Sequence, residues 1–315
     1  MKYLVLITLL SQGCQEAPQP ENKPTLPKAP LIEPKAPDPI PEPEPVVKYD
    51  EDLAAYQTPV KVTEGGNREH NIKLGAEKLN GLILQPGEKF SFNEVVGKRS
   101  KENGFKEAPV IWEGVVVPGL GGGMCQVSST LHAALLHAGI EPTQRSHHSR
   151  PSSYIDIGID AAVSWPDICE TDPPKCIKLD LKFENTYDFP IQLDARYVDY
   201  PQGDLSFDPP PPPYDSLIIT IWGSKASTKE VSLRERWHWT EDFEIVEKKK
   251  GWGSRRTQLQ KGKKGKSATL YITTKDLATG EFSVRKLHSR YKPTNEVWET
   301  GPDYVPPVEE EPSED

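Results

Sequence analysis

Cys125 is the residue best placed in this sequence to do covalent chemistry. It follows Pro118-Gly-Leu-Gly-Gly-Gly-Met124 and precedes Gln126-Val-Ser-Ser-Thr-Leu-His-Ala-Ala-Leu-Leu-His-Ala-Gly139. Val127, Leu131, Leu135 and Ala138 recur at helical spacing and Gly139 is a stop, which predicts a helix with the cysteine in its first turn. Unpaired backbone N–H groups and the dipole at a helix start favour negative charge. A thiol there is drawn toward the thiolate, the form that attacks. Gly121, Gly122 and Gly123 would let a substrate carbonyl approach the backbone, with nearby N–H groups as oxyanion donors. Gln126 is a further candidate for the oxyanion, and Ser128 for substrate contact. The competing reading is that Cys125 packs as a small hydrophobe, as free cysteines often do.

A nucleophilic thiol needs a base within hydrogen-bond reach and a third group to orient that base. His147 and His148 are the candidate bases, in the polar loop Arg145 to Tyr154. Asp160 is the candidate orienting carboxylate, on the segment Ile155 to Trp165, which reads as a strand. Cysteine at a helix start, then histidine, then aspartate is the chain order of transglutaminase-like thiol enzymes, an analogy of arrangement alone. His132 lies two helical turns from Cys125 and, with His137, reads as an ordinary polar residue of a helix face. Adjacent histidines point different ways and no zinc-ligand spacing is present, so neither a metal nor a cofactor is expected.

The chain has 315 residues, 32 prolines and a net charge of −9, room for two modest domains with tails. Met1-Lys2, the apolar run Tyr3 to Leu10 and Ser11-Gln-Gly-Cys14 read as a secretory signal. The segment resembles a bacterial lipoprotein signal, with Cys14 as the lipid-bearing residue, although Leu10 stands four places before it where three is usual. Residues 15–47 form a Pro/Glu/Lys/Ala tract without an aromatic residue, a disordered tether. Together these predict an exported protein on a membrane lipid anchor. Export bears on the other cysteines. Cys169 and Cys176 flank Glu-Thr-Asp-Pro-Pro-Lys and are most simply a disulfide closing that turn. A metal pair is the weaker alternative, because no second ligand pair accompanies them.

The elements that must position Cys125 follow from periodicity. Asn67 to Asn80 reads as an amphipathic helix with Ile72, Ala76 and Leu79 inward. Leu82 to Leu84 and Lys89 to Phe92 read as strands about the turn Gln85 to Glu88, and Pro109 to Val117 as a hairpin over Glu113-Gly114. Lys178 to Glu184 and Ile191 to Tyr197 both alternate and predict a second hairpin. The predicted fold of residues 48–224 is α+β, a mixed or antiparallel sheet packed with the cysteine-bearing helix. Residues 230–301 read as a small all-β module rich in Lys and Arg, and 302–315 as an acidic disordered tail.

Several stretches together resemble one family. They are Asn71-Ile-Lys-Leu-Gly-Ala-Glu-Lys-Leu-Asn-Gly81, Pro86-Gly-Glu-Lys-Phe-Ser-Phe-Asn93, Glu107-Ala-Pro-Val110, the glycine–cysteine run to Leu131, His148-Ser149 and Asp160-Ala161. These are similar to the VanW family of vancomycin B-type resistance proteins. That family usually shows His-x-His-Ser where this chain has Ser146-His-His-Ser149, which favours His148 as the base and adds Ser149 to the substrate-binding candidates. The Cys169 to Cys176 insert is extra to the family pattern. Gln260 to Ser267 with Pro293 to Gly301 resembles the G-five module of wall-associated proteins, which implies adhesion or glycan binding.

The resemblance implies the cell envelope, and with the thiol constellation it predicts acyl transfer or hydrolysis on peptidoglycan peptides. The alternative is a non-catalytic protein that binds peptidoglycan or another wall polymer, or a scaffold. A monomer is expected, with no nucleic-acid partner for an exported chain.

Overall fold

Residues 48–61, 65–112, 115–165, 178–199, 215–250 and 252–305 are described by a computed structural model, all within the unit Val47–Asp315. The expected signal with Cys14, the tether, the Cys169–Cys176 pair and the end of the acidic tail lie outside the described residues. In chain order the first elements are β1 (Glu51–Val60), α1 (Asn67–Leu79), β2 (Ile83–Leu84), β3 (Lys89–Ser91), α2 (Phe92–Val96), β4 (Glu107–Trp112) and β5 (Val115–Leu120). Then come α3 (Met124–His137), β6 (Pro142–Gln144), β7 (Lys182–Glu184), β8 (Ile191–Val198) and β9 (Asp215–Gly223). The remainder is strand: β10 (Lys229–Trp239), β11 (Ile245–Lys249), β12 (Arg256–Gln260), β13 (Lys266–Asp276), β14 (Phe282–Tyr291) and β15 (Glu296–Thr300).

Fifteen strands against three helices among the described residues make this a mostly β protein, which corrects the α+β expectation. The strands are spread over five sheets, ordered β1-β9-β8-β2, β3-β7-β6, β4-β5, β10-β13-β14 and β11-β15-β12. α3 is not the partner layer of one of them. It meets β1, β9, α1 and β10 on different sides and is buried nearly all round. The reason lies between the apolar positions that announce the helix. Ser128, Ser129, Thr130 and His132 are polar, yet all four are fully buried.

Ser128, Ser129 and one nitrogen of His132 find partners on segment 159–163, whereas Thr130 bonds the Gln126 carbonyl and Thr58. Ser128 Oγ donates to the Ala161 carbonyl at 2.7 Å, Ser129 Oγ accepts from the Ala161 N–H at 2.9 Å, and His132 Nδ1 bonds the Ile159 carbonyl at 2.5 Å. This explains why 155–165, expected as a strand, is irregular. Its backbone finds partners on helix side chains and in the loops, including Ser146 and Leu179, so it needs no strand neighbour. The cluster Ala133, Leu136, Ile155, Ile159, Leu270 and Ile272 then lays β13 over the far side of α3.

Leu181 and Phe183 of the β7 region and Ile191, Leu193 and Ala195 of β8 are buried as their alternation predicts, but they do not form a hairpin. β7 pairs with β3 and β6, whereas β8 pairs with β2 and β9. Asn185 diverts the chain. Its side chain donates to Leu84 and Phe189 carbonyls, and its backbone exchanges bonds with Gly87 and Glu88. β4 and β5 do pair as an antiparallel hairpin, from Glu107–Leu120 to Trp112–Val115.

Candidate functional site

α1 and the β4–β5 hairpin fix where α3 begins. Gly75 on α1 lets Met124 approach so closely that an added Cβ would lie 2.7 Å from the methionine methyl. Gly123 is the N-cap with φ 115°, a conformation that side-chain-bearing residues rarely adopt. A Cβ on Gly122 would meet the Pro109 carbonyl oxygen at 2.6 Å, and one on Gly121 the Arg99 side chain at 2.4 Å. The glycines are therefore packed against their neighbours on the side where a Cβ would stand. Gly122→Ala should cost about 1–3 kcal/mol or more, since backbone cannot yield as a side-chain tip can. Chemical denaturation of the variant checks this.

Cys125 occupies the first turn of α3 and is half-buried. Met124 N–H donates to Gly121, and the Gln126 and Val127 N–H groups to Gly123. The Cys125 N–H has no acceptor among the described residues. The thiol donates to the Val163 carbonyl at 3.4 Å and lies close enough to His148 for the two to shift each other's ionisation. Burial alone would push this thiol up. The bond and charge of His148, the Val163 contact and the nearby Arg99 outweigh burial and hold it below its ordinary value.

His148 is 4% exposed and Asp160 2%. One carboxylate oxygen of Asp160, Oδ2, accepts both the His148 backbone N–H at 2.7 Å and the Nδ1 hydrogen at 2.6 Å. This bond fixes the tautomer and leaves Nε2 for the thiol and for the Tyr154 hydroxyl, 3.4 Å away. Burial would lower the imidazole's pKa, but its bonds to Asp160 and Cys125 raise it to about 10. Burial would likewise raise the Asp160 carboxyl; His148 and Arg145 hold it well below the usual carboxylate range. The imidazole thus stands between thiol and carboxylate, hydrogen-bonded to Asp160 on one side and electrostatically coupled to Cys125 on the other.

His147 takes another direction. Its Nδ1 bonds the His148 carbonyl and its ring lies edge-on to Tyr291, centroids 5.5 Å apart. Gln126 is also turned away: its amide nitrogen donates to Thr58 Oγ1 and the Pro59 carbonyl, and its oxygen accepts from Arg68. With both amide hydrogens spent, its side chain cannot serve an oxyanion. Ser128 is committed to Ala161, and Ser149 offers its backbone carbonyl to the Lys292 N–H.

Sequence reasoning missed four residues here. Arg145, almost wholly buried, donates from Nε to the Asp160 carbonyl and from Nη2 to Oδ1. Tyr154 faces His148, and burial together with the nearby thiol pushes its phenol up. Tyr291 donates to Asp160 from the C-terminal sheet. Arg99, whose pKa burial lowers to about 10, supplies positive charge beside the thiol. His132, read as an ordinary polar residue, is buried with its pKa lowered to about 4 by burial and by Arg145. A basic residue at the head of the histidine loop was the one available signal, for Arg145.

Residues 67–204, which contain Cys125, His148 and Asp160, match the family model described as VanW like protein. The uncharacterized protein YoaR of Bacillus subtilis (strain 168) is 42% identical over 130 residues, 41% of this chain and 39% of YoaR. The vancomycin B-type resistance protein VanW of Enterococcus faecalis (strain ATCC 700802 / V583) is 33% identical over 163 residues, 49% of this chain and 56% of that protein. The chain thus matches about two fifths of one relative's length and just over half of the other's. Among solved structures, the crystal structure of HP0197-G5 covers 23% of this chain and 97% of its own, at 18% identity and a TM-score of 0.14.

Proposed function

We propose that this chain, whose residues 67–204 match the family model described as VanW like protein, uses Cys125 for acyl transfer or hydrolysis on peptidoglycan peptides. The observation that carries the reading is the placement of His148, bonded through Nδ1 to the buried Asp160 and near enough to Cys125 to favour its thiolate. In this reaction the sulfur bonds to an amide carbonyl carbon, and the developing oxyanion is met by the Cys125 N–H. The C–N bond then breaks, and His148 delivers its proton to the leaving amine. Water or a second amine attacks the thioester, returning its proton to His148 and the sulfur to its starting state. Asp160 keeps the imidazole oriented throughout. The substrate class draws on the resistance role printed for the VanW relative. The N-terminal signal pattern supports export, lipid anchoring and work in the envelope.

A second reading is non-catalytic binding of an anionic wall polymer. Trp237 and Trp239 are 45% and 54% exposed, and Lys266 sits over both rings at 4.0 and 4.5 Å. Mass spectrometry of muropeptides incubated with the wild-type protein and with Cys125→Ala separates the two. New products made only by the wild type support catalysis. Identical spectra together with retained binding to isolated wall leave the second reading standing.

A further inference from the structure

The three-stranded sheet β10-β13-β14 lies beyond the family-matched residues, yet its edge strand reaches the centre of the site. β14 pairs with β13 on one side only. On its other side the Arg290 N–H donates to His147 Nε2 at 3.4 Å and the Lys292 N–H to the Ser149 carbonyl at 2.9 Å. The residues on either side of His148 are therefore stapled to this strand. Ser289 and Tyr291, which flank Arg290, point inward on one face of β14, both buried.

Their hydroxyls complete the polar shell of Asp160. A carboxylate only accepts, so the Tyr291 hydroxyl, 2.5 Å from Oδ1, must donate to it. The same hydroxyl accepts from the Gly158 N–H at 2.8 Å, which fixes its direction. Ser289 Oγ accepts from Arg145 Nη1 at 2.9 Å, while Arg145 Nη2 holds Oδ1 at 3.1 Å. Oδ1 is thus claimed by Tyr291 and Arg145, and Oδ2 by His148 alone. The carboxylate cannot turn without breaking bonds on both oxygens.

We propose that Tyr291 is a positioning residue for the thiol site, and that the C-terminal sheet, through β14, holds Asp160 and hence His148 in the geometry that ionises Cys125. The proposal rests on the thiol–imidazole reading above and adds to it a contribution from outside residues 67–204. Other charged and titratable groups facing this cluster are Arg145, His132, Tyr154, Arg68 and Arg99. None of them substitutes for the second bond on Oδ1 from β14.

The test is the rate of Cys125 alkylation by iodoacetamide as a function of pH in the full chain. In the wild type, labelling already proceeds well below the ordinary thiol range. In Tyr291→Phe the curve should move to higher pH, with about a tenfold slower rate near neutrality and a nearly unchanged rate at alkaline pH. That is the size expected for one hydrogen bond to a charged group. Tyr187→Phe is the control, because it loses a buried bond to the Ala138 carbonyl far from the thiol. Its curve should match the wild type. A Tyr291→Phe curve superimposable on the wild type, or an equal shift in both variants, overturns the proposal. An inert wild-type thiol instead removes the reading beneath it. If Tyr291→Phe does not fold, Ser289→Ala carries the test, with a smaller shift in the same direction expected and no shift counting against.

Discussion

Replacing His148 by alanine is expected to slow turnover by about 10²- to 10⁴-fold, the usual share of a positioned acid–base group. The same change should move thiol labelling to alkaline pH. In the native site the imidazole's bond and charge offset a burial that by itself pushes Cys125 up. Without the imidazole only burial and the weaker contacts remain, so ionisation should not begin until at or above the ordinary thiol value of about 8.5. Stopped-flow labelling and a muropeptide assay on one preparation measure both effects. A variant that labels like the wild type would show that the thiol owes nothing to His148.

Asp160→Asn should affect stability and activity together. Asp160 receives only donors: two from His148, one from Tyr291 and one from Arg145 at the carboxylate. An amide NH₂ placed among them opposes at least one and leaves the Arg145 charge without its counter-ion. Removing one partner of such a buried pair typically costs about 3–5 kcal/mol. Activity measured below the unfolding transition should fall by roughly 10³- to 10⁴-fold, as when the carboxylate behind a catalytic histidine is neutralised. Proton linkage gives a further signature. The carboxyl's pKa is depressed in the folded state. Its stabilisation is therefore present above the unfolded value, about 3.9, and is lost as pH falls below it. Wild-type unfolding midpoints should drop on acidification, and Asp160→Asn should flatten that limb. An equally steep acid limb in the variant would assign it to other carboxylates.

Much of the local structure was legible in the sequence, and the exceptions share a cause. α1, α3 and the β4–β5 hairpin each carry their pattern within a short window, and each forms. The 155–165 segment was misread because its partners are Ser128, Ser129 and His132, side chains of a helix about thirty residues earlier. Periodicity cannot report such a partner. β7 and β8 alternate as hairpin strands do, but alternation shows which face is buried and not which neighbour is paired. Cys125, His148 and Asp160 were singled out by residue type, spacing and motif. Arg145 and Tyr291 were not, since a tyrosine 131 residues from the aspartate it serves leaves no mark in any local window.

The wrapping of α3 also bears on the order in which the chain is made. Its Ala133 and Leu136 pack against Leu270 and Ile272, which are synthesised more than a hundred residues later. Until β13 and β14 emerge, a nascent polypeptide carries the helix with one greasy flank uncovered and Asp160 without its bond from Tyr291. The bonds around Asp160 are therefore completed last, after nearly the whole described chain has been made.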